Sequence, residues 1–319
     1  MLELGSLEEF LDLIKEVLYL PVGMLIDTHK RVHWIYLLFS LGLCYLVFLG
    51  TKQKSGFLRY VFSKKVWWGN SAKVDYYFIF LNSAVKVLLL GPVLIWGLEL
   101  AFWTRDNCFR FIGEGEYFES SLGLFVAYTL VITVAKDFLT FLIHYLMHTV
   151  PFLWEFHKTH HSATTLSPFT QYRIHPVELV LNNLFALVGF GLITGVFDWL
   201  SKDGIQLATV LGSNFLLVIW RFLGANLRHS HVRLRFPSWL EKWFISPYQH
   251  QIHHSDDPRF FNKNMGSMLA IWDYFFGTLA RSKELAKVRF GLGKQEYHLH
   301  KDFWSLALKP FVWAFRKRR

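Results

Sequence analysis

The spacing of histidines constrains this chain more than any other feature of its sequence. Eleven of its fifteen histidines lie between positions 144 and 254, and ten of these form four groups. The groups are His144-Tyr-Leu-Met-His148, His157-Lys-Thr-His160-His161, His229-Ser-His231 and His250-Gln-Ile-His253-His254. Residues three or four apart on a helix project from the same face, so imidazoles at this spacing can converge. Because imidazole is a common metal ligand, the pattern predicts a metal site rather than a set of buried core histidines.

Nine of these histidines make a coherent ligand set for two metal ions, since four or five ligands per ion leave room for water or oxygen. The nine predicted ligands are His144, His148, His157, His160, His161, His229, His250, His253 and His254. The sequence does not decide whether His231 is an additional ligand or a hydrogen-bond partner of a neighbour. We expect His175, which precedes Pro176, to support the site or to belong to a lid.

Carboxylates near the histidines are expected to accept hydrogen bonds from ring N–H groups rather than to bind metal directly. An all-imidazole shell leaves the charge of the metal uncompensated, so outer carboxylates would stabilise it. The candidates are Asp137, Glu178, Asp256, Asp257 and Asp273. Asp137 precedes His144 by two helical turns and would share its face, which makes it the best placed of them.

The composition predicts a membrane protein. Hydrophobic residues make up 53% of the chain and aromatic residues 18%. Much of the net charge of +10 borders hydrophobic segments, where anionic headgroups attract it, and no basic stripe indicates nucleic-acid binding. Cys44 and Cys108 are far apart, so we expect neither a disulfide nor an iron–sulfur cluster held by cysteines.

Apolar segments predict an all-α fold, an integral membrane helical bundle. Residues 5 to 20 have the pattern of an amphipathic helix at the membrane surface, and their acidic residues argue against a signal peptide. The predicted spans are 34–50, 76–103, 122–143, 178–200 and 205–225, the last two as a helical hairpin. Gly91-Pro92 predicts a kink within 76–103, with a tight re-entrant hairpin as the alternative.

The distribution of lysine and arginine predicts the orientation of these spans. The loop 51–75 holds six Lys or Arg residues and is expected to be cytoplasmic. Counting spans from there assigns the histidine groups and the basic stretch Arg316–Arg319 to the cytoplasmic side, with the N-terminus opposite. We therefore expect a multi-pass protein whose cytoplasmic helical cap carries a histidine-rich dimetal site. The bacterial inner membrane is the favoured location, and the membrane of the endoplasmic reticulum is the alternative.

Several motifs resemble the fatty acid hydroxylase/sterol desaturase superfamily. They cover roughly residues 120 to 280 and include Asp137 to His148, Phe156 to Ser162, Arg173-Ile-His175-Pro-Val-Glu178, His229-Ser230, Tyr248 to Asp256, Asn264-Met-Gly266 and Trp272 to Thr278. Two positions depart from the usual pattern: Tyr145 stands where many members have arginine, and His231 where many have asparagine. Neither departure removes an expected ligand.

The resemblance implies an enzyme that uses two iron ions and dioxygen to hydroxylate or desaturate a membrane lipid, such as a sterol or fatty acyl chain. The sequence carries no flavin, haem or iron–sulfur motif, so a separate reductase or carrier protein is expected to donate electrons. The alternative is a histidine-rich metal transporter or storage protein. We divide the chain into an N-terminal helix and spans (1–120), a catalytic region (121–285) and a basic C-terminal tail (286–319).

Overall fold

A computed structural model of the chain describes residues 7–51, 55–91, 93–210, 213–285, 287–293, 296, 298–300 and 302–315. The described part is mainly helical. Its α-helices are α1 (Leu7–Gly23), α2 (Trp34–Leu49), α3 (Phe57–Val61), α4 (Lys64–Trp67), α5 (Asn70–Val85), α6 (Leu94–Phe111), α7 (Leu122–Thr149), α8 (Pro151–His161), α9 (Pro176–Leu200), α10 (Phe215–Phe222), α11 (Pro247–His253), α12 (Ile271–Phe275) and α13 (Phe303–Trp313). A π-helical turn, Lys86–Leu90, follows α5, and a short antiparallel ribbon pairs β1 (Thr209–Val210) with β2 (Ser213–Asn214).

The long apolar helices α7 and α9 are each long enough to cross a membrane, as the sequence predicts for 122–143 and 178–200. The chain is a membrane protein. Helix α7 has 28 residues, so it is about 42 Å long at 1.5 Å per residue, whereas the hydrocarbon core of a bilayer is about 30 Å thick. The excess length gives α7 a terminal part outside the hydrocarbon layer, and its last turns carry His144 and His148.

The predicted span 76–103 is a pair of helices bent by 46° at a break, which the structure leaves as either one broken span or a re-entrant loop. The break begins at Gly91, as predicted, and Pro92 lies outside the described residues. Beyond the break, α6 packs tightly against α9. A Cβ at Gly191 would lie 2.8 Å from the Leu100 side chain, and one at Gly195 would meet the Ala101 carbonyl. These two glycines, four residues apart, therefore let the helix backbones approach closely.

The prediction of a fifth span at 205–225 is wrong. This segment forms the β1–β2 ribbon and then α10, whose eight residues extend about 12 Å. The Asn214 side chain accepts hydrogen bonds from the backbone at the start of α10, so this cap prevents an earlier start. The segment nevertheless runs along α7, since Ala208 donates to Thr129 and Asn214 to Thr133. It returns to the histidine end largely as extended chain.

The N-terminal region differs in detail from its prediction. The amphipathic helix is present as α1, and its apolar side chains at Leu7 and Leu18 remain 73% and 56% exposed. The predicted first span is α2, whose 16 residues extend about 24 Å, less than a hydrocarbon core. Within the loop 51–75, Lys52 and Lys54 lie outside the described residues.

The segments between and after the long helices build a cap over one end of the bundle. Helices α8, α11 and α12 lie there, where α7 ends and α9 begins. The segment predicted as a basic tail contains α13, which packs on α8: the Thr159 hydroxyl donates to the Leu306 carbonyl at 3.2 Å. The basic stretch Arg316–Arg319 lies outside the described residues.

Candidate metal centre

The nine predicted ligands converge at the capped end of the bundle in two sets. Each set brings one nitrogen per imidazole within 4.8 Å of every other member. The five-histidine group consists of His144, His148, His157, His161 and His253, and the four-histidine group of His160, His229, His250 and His254. Helix α8 supplies both groups, because its neighbouring residues His160 and His161 point into different sets.

The inner nitrogens of the four-histidine group are arranged as ligands of one ion would be. The Nε2 atoms of His229, His250 and His254 lie 3.1–3.2 Å from one another, and Nε2 of His160 lies 3.2 Å from that of His229. Nitrogens bound about 2.0–2.1 Å from one ion are separated by roughly 3 Å. A neutral imidazole offers one N–H and one lone pair, so a closed triangle of Nε2 atoms cannot satisfy itself by hydrogen bonding. A cation bound among these Nε2 atoms would satisfy their lone pairs.

The five-histidine group also fits a bound metal ion, because several of its ring nitrogens lack hydrogen-bond partners among the described residues. Nε2 of His148, of His161 and of His253 are buried without a hydrogen-bond partner among the described residues. One unsatisfied buried polar group costs roughly 1–3 kcal/mol, so three at one point indicate a bound species rather than a folding defect. Nε2 of His144 lies 3.1 Å from Nε2 of His157 and completes the set. The residues present therefore fit two metal ions.

The outer nitrogens of the five-histidine group contact oxygen acceptors, which fix the rings so that Nε2 points inward. Nδ1 of His144 lies 2.7 Å from the Met265 carbonyl, and Nδ1 of His253 lies 2.8 Å from that of Lys263. Nδ1 of His148 lies 3.2 Å from Oδ1 of Asn262. Partners of this kind set the tautomer of a ligating imidazole and raise its basicity.

Glu178 provides the carboxylate contact that an all-imidazole site requires. Its Oε2 lies 3.0 Å from Nδ1 of His157, and the two side chains are 7% and 2% exposed. Glu178 lies in the first turn of α9, which begins with Pro176 after the cap residue His175. The carboxyl group therefore lies directly behind a predicted ligand, where its ionised form could compensate metal charge.

The four-histidine group has a more cationic surrounding. Nδ1 of His160 lies 3.1 Å from the Arg173 carbonyl, whereas Nδ1 of His250 accepts a hydrogen bond from Nη2 of Arg228 at 2.8 Å. Arg228 is buried and also donates to the Gly266 and Ser267 carbonyls. Burial, with the charge of nearby Arg31 as a second cause, lowers the pKa of Arg228 to about 9. An imidazole that accepts at Nδ1 carries its proton at Nε2 when neutral, so metal binding by His250 requires loss of that proton.

The prediction that Asp137 orients a ligating imidazole is corrected by its contacts. Its carboxylate accepts from the backbone N–H groups of Met268 and Leu269 at 2.8 and 2.9 Å and from Nε1 of Trp272 at 3.0 Å. Asp137 therefore holds the segment 265–272 against α7. It reaches His144 indirectly, because that segment presents the carbonyl of Met265.

Asp273 fixes the same segment from the other side. Its carboxylate accepts from the N–H groups of Met265 and Gly266 at 2.8 and 2.7 Å. A Cβ at Gly266 would lie 2.8 Å from this carboxylate and 2.6 Å from the Leu269 carbonyl. The Asn-Met-Gly motif thus has a physical basis, since glycine leaves room for the turn that aims the Met265 carbonyl at His144.

The remaining candidates lie away from the metal positions. Nδ1 of His175 accepts from the Val177 N–H as a helix cap, and its Nε2 lies 3.1 Å from the Ala307 carbonyl. His231 lies outside both groups with its ring 4.9 Å from that of Tyr60, which argues against a role as an additional ligand.

Two of the candidate carboxylates pair with arginines rather than with imidazoles. Asp256 forms an ion pair with Arg289. Asp257 does the same with Arg259. Neither contact places a carboxylate oxygen behind a ligand nitrogen.

The sequence analysis missed a buried ion pair that supports the centre. Nε of Arg173 lies 3.0 Å from Oδ1 of Asp75, and both side chains are at most 2% exposed. The pair joins α5 to the segment whose Arg173 carbonyl contacts His160. A carboxylate near the start of an otherwise apolar helix was the available signal, because such charges are retained only with a partner.

Burial keeps these imidazoles neutral. It lowers the pKa of His160 to about 3, with the charge of His144 as a second cause. Burial likewise lowers the pKa of the predicted ligands in the cap well below the usual value, and neighbouring imidazoles add to the effect; these are His157, His161, His229, His250, His253 and His254. A metal ion requires the deprotonated nitrogen, so the site is prepared for binding at neutral pH.

Comparisons with known proteins agree with this geometry. Residues 129–278 match the family described as fatty acid hydroxylase. Alkylglycerol monooxygenase from Xenopus tropicalis is 27% identical over 158 residues, which cover 49% of this chain and 31% of that protein. Ornithine lipid hydroxylase OlsE from Rhizobium tropici is 27% identical over 188 residues (58% and 50%), and fatty acid hydroxylase vlmA from Lecanicillium is 28% identical over 171 residues (51% and 44%). No solved structure gives a significant match.

The matched region contains all nine histidines and the loop that Asp137 and Asp273 hold. Residues 129–278 match the fatty acid hydroxylase family, which confirms the resemblance that the motifs predict. The matched segments span at most half the length of the three relatives named above.

Proposed function

We propose that this protein is a membrane-bound oxidoreductase that hydroxylates a lipid with dioxygen at a pair of iron ions. The observation that carries the proposal is the convergence of nine histidine nitrogens into groups of five and four at one end of long apolar helices. Iron bound there would activate dioxygen for attack on an unactivated C–H bond. Desaturation begins with the same abstraction of a hydrogen atom, so it remains an outcome of the test below.

The protein's own residues prepare this chemistry in three ways. Buried, neutral imidazoles other than His250 can supply lone pairs at their inner nitrogens without first losing a proton. The carbonyls of Met265 and Lys263 contact the outer ring nitrogens of His144 and His253, and Glu178 lies 3.0 Å from that of His157, so the inner nitrogens point into the group. The surrounding protein excludes bulk water from the four-histidine group, whose members are all buried. Exclusion of water protects a reactive intermediate from wasteful side reactions.

A cavity of about 260 Å³ adjoins the five-histidine group and is lined in part by His148, His161 and His253. Its remaining lining comes from cap residues such as Asn262 and Glu296 rather than from the long helices. We infer that water and dioxygen exchange through this opening. The lipid would enter from the membrane side, between the helices.

The relatives support lipid hydroxylation as a class without agreeing on a substrate. Their names specify an alkylglycerol, an ornithine lipid and a fatty acid. Hydroxylation of C–H by dioxygen consumes two electrons and two protons and releases water, so a separate donor protein is proposed as the electron source. We also propose that the histidine end faces the cytoplasm, in keeping with the basic residues of the loop 51–75.

Incorporation of heavy oxygen tests the proposed reaction. Membranes from cells that express the protein would be incubated under ¹⁸O₂ with a reductant, and total lipids compared by mass spectrometry with those from cells expressing His161→Ala. We expect a lipid that gains one ¹⁸O atom in the presence of the wild-type protein. Loss of two hydrogens without oxygen gain would indicate desaturation. Metal accumulation or efflux with unchanged lipids would instead support a metal transporter and overturn the proposal.

Accessible cysteines test the orientation. Thr164 and Arg259 are exposed at the histidine end, whereas Glu119 is exposed at the other end of α7. In a Cys108→Ser background, Thr164→Cys and Arg259→Cys should react with an impermeant thiol reagent applied from the cytoplasm, and Glu119→Cys from the opposite side. The reverse pattern would overturn the orientation and leave the reaction untouched.

A further inference from the structure

A cationic chamber lies beside the metal centre, on the side of the long helices. This chamber has a volume of about 320 Å³ and is bounded by α7, α10, the loop 29–31 and the segments 171–172 and 267–268. Four cations line it, namely Lys30, Arg31, Lys136 and Arg221. Asp137 also lines the chamber, and both oxygens of its carboxylate already accept hydrogen bonds from backbone N–H groups.

Most of this positive charge is not neutralised within the protein. In the described part of the chain, no carboxylate lies within 4 Å of the side-chain nitrogens of Arg31, Lys136 or Arg221. Lys30 has a partner in Asp27 at 3.5 Å, and that pair is partly exposed. Arg221 donates to neutral groups, including the carbonyls of Thr28 and His29 at 2.7 and 2.8 Å. Arg221 therefore anchors the chamber wall and adds its charge to the chamber.

Lys136 is the informative cation because of its position. It lies in the middle of α7, a helix long and apolar enough to cross a membrane, one residue before Asp137. A charged side chain in such a helix is costly and is normally retained for a function, with a partner. The Lys136 side chain is exposed and lines the chamber, so a ligand can reach it.

Arg31 connects the chamber to the metal centre. Its charge acts on His160 and His229 of the four-histidine group and on Arg228. Burial and the charge of Arg221 lower the pKa of Arg31, so a bound anion would relieve an unfavourable cluster. Tyr172, which also lines the chamber, has its pKa raised to about 12 by burial and remains a neutral hydrogen-bond donor.

An apolar groove continues from the chamber between α7 and α9. It has a volume of about 320 Å³ and shares His29, Thr133, Lys136, Leu217 and Arg221 with the chamber. Its other walls are largely aliphatic and aromatic, with Leu139, Leu187, Phe190 and Ile193 among them. The two cavities together provide a site for an oxyanion that is joined to a site for a hydrocarbon chain. An anionic lipid has the same two parts, a charged headgroup and a hydrocarbon chain.

We propose that the chamber binds the phosphate of an anionic lipid headgroup and that the groove holds the hydrocarbon chain of the same lipid. Guanidinium groups recognise phosphate through paired N–H donors, and a lysine ammonium adds a point charge. The proposal rests on the proposed function, because it identifies the lipid class that this centre would modify. The carbons nearest the headgroup would then be those closest to the four-histidine group.

Lipid binding, measured without turnover, tests this proposal separately from the reaction. Purified protein in a non-ionic detergent would be titrated with phosphatidylglycerol and with diacylglycerol of the same acyl chains, and bound lipid counted by native mass spectrometry. We expect phosphatidylglycerol to bind at least about tenfold more tightly, the size of one charge-assisted hydrogen bond to phosphate. The preference should persist in His161→Ala, which would be inactive. A failed reaction with intact lipid preference would thus count against the proposed function alone.

Charge variants localise the preference. Lys136→Gln and Arg31→Gln should each weaken phosphatidylglycerol binding by about tenfold and leave diacylglycerol unchanged. Lys136→Arg should retain the preference, and Lys64→Gln, which removes an exposed cation outside the chamber, is the matched control. Equal binding of the two lipids by the wild-type protein would overturn the proposal. So would an unchanged preference in both Gln variants, and so would competition by a free fatty acid but not by inorganic phosphate.

Discussion

The two histidine groups differ in what surrounds them, although neighbouring residues of one helix contribute to both. The five-histidine group includes two half-buried members at the end of α7 and adjoins a cavity of about 260 Å³. Every member of the four-histidine group is buried. Glu178 lies behind the first group, while Arg228 donates to a member of the second.

This difference suggests that ions in the two groups have different roles. An ion in the five-histidine group has room beside it for exchangeable small molecules and a carboxylate that offsets its charge. An ion in the four-histidine group would be enclosed, and it would lie next to the cationic chamber in an unfavourable electrostatic field. We therefore expect changes on the two sides of the centre to have distinguishable consequences.

Removal of a ligand from either group should have the largest effect. His160→Ala and His161→Ala alter adjacent residues of α8 that serve different groups, and each should abolish lipid product because both ions are needed for turnover. His157→Ala should do the same. His231→Gln is the control, since His231 lies outside both groups and its substitution should preserve activity. Wild-type turnover by His160→Ala, measured at equal expression, would refute the assignment of the four-histidine group.

Loss of the carboxylate behind His157 should have an intermediate effect confined to one group. Glu178→Gln keeps an oxygen near Nδ1 of His157 but removes the charge, so metal affinity should fall by about 10- to 100-fold. A competitive chelator titration measures this change. Asp256→Asn is the matched control, because that carboxylate pairs with Arg289. Equal metal affinity in both variants would remove Glu178 from the site.

Acidification should weaken the apo protein through the same histidines. Burial lowers the pKa of His160 to about 3, whereas an unfolded histidine has a pKa near 6.5. The unfolded chain therefore binds more protons between about pH 6.5 and 3, and the free energy of unfolding falls as pH decreases through that window. Each such histidine contributes up to about 1.4 kcal/mol per pH unit. The apo protein should have a lower Tm at pH 5.5 than at pH 7.5, and a pH-independent Tm would show that the rings are not buried as described.

Asp137→Asn should have the smallest effect on the metals and a measurable effect on stability. An amide can accept from one of the N–H groups of Met268 and Leu269 but not from both, so we expect a loss of about 1–3 kcal/mol in the free energy of unfolding. Metal content should remain at the wild-type level. Metal loss at unchanged Tm would restore the original expectation that Asp137 acts directly on an imidazole.

The sequence predicted local periodicity well and tertiary contacts less well. The histidine spacing predicted the nine residues that converge, because residues three or four apart on a helix lie on the same face. The roles of Asp137 and Asp256 could not be predicted, since a face shared along one helix does not reveal which loop packs on it. Arg228 and Asp75 were missed because their partners are more than twenty residues away in the chain.

The segment 205–225 shows the corresponding limit for the fold. Its apolar composition is that of a span, and composition alone cannot distinguish a transmembrane helix from extended chain packed along a neighbouring helix. The hydroxyls of Thr129 and Thr133 on α7 accept the hydrogen bonds that make the extended form stable. Those hydroxyls lie some 80 residues earlier in the sequence, so the sequence pattern of the segment itself cannot predict these hydrogen bonds.

The metal content of the purified wild-type protein tests the central claim most directly. Elemental analysis by mass spectrometry of anaerobically prepared protein, with protein quantified by amino-acid analysis, should give two iron ions per chain. His160→Ala and His161→Ala should each retain about one, because they empty different groups. A fully loaded wild-type protein that holds a single ion per chain would contradict the assignment of two groups, whatever its activity.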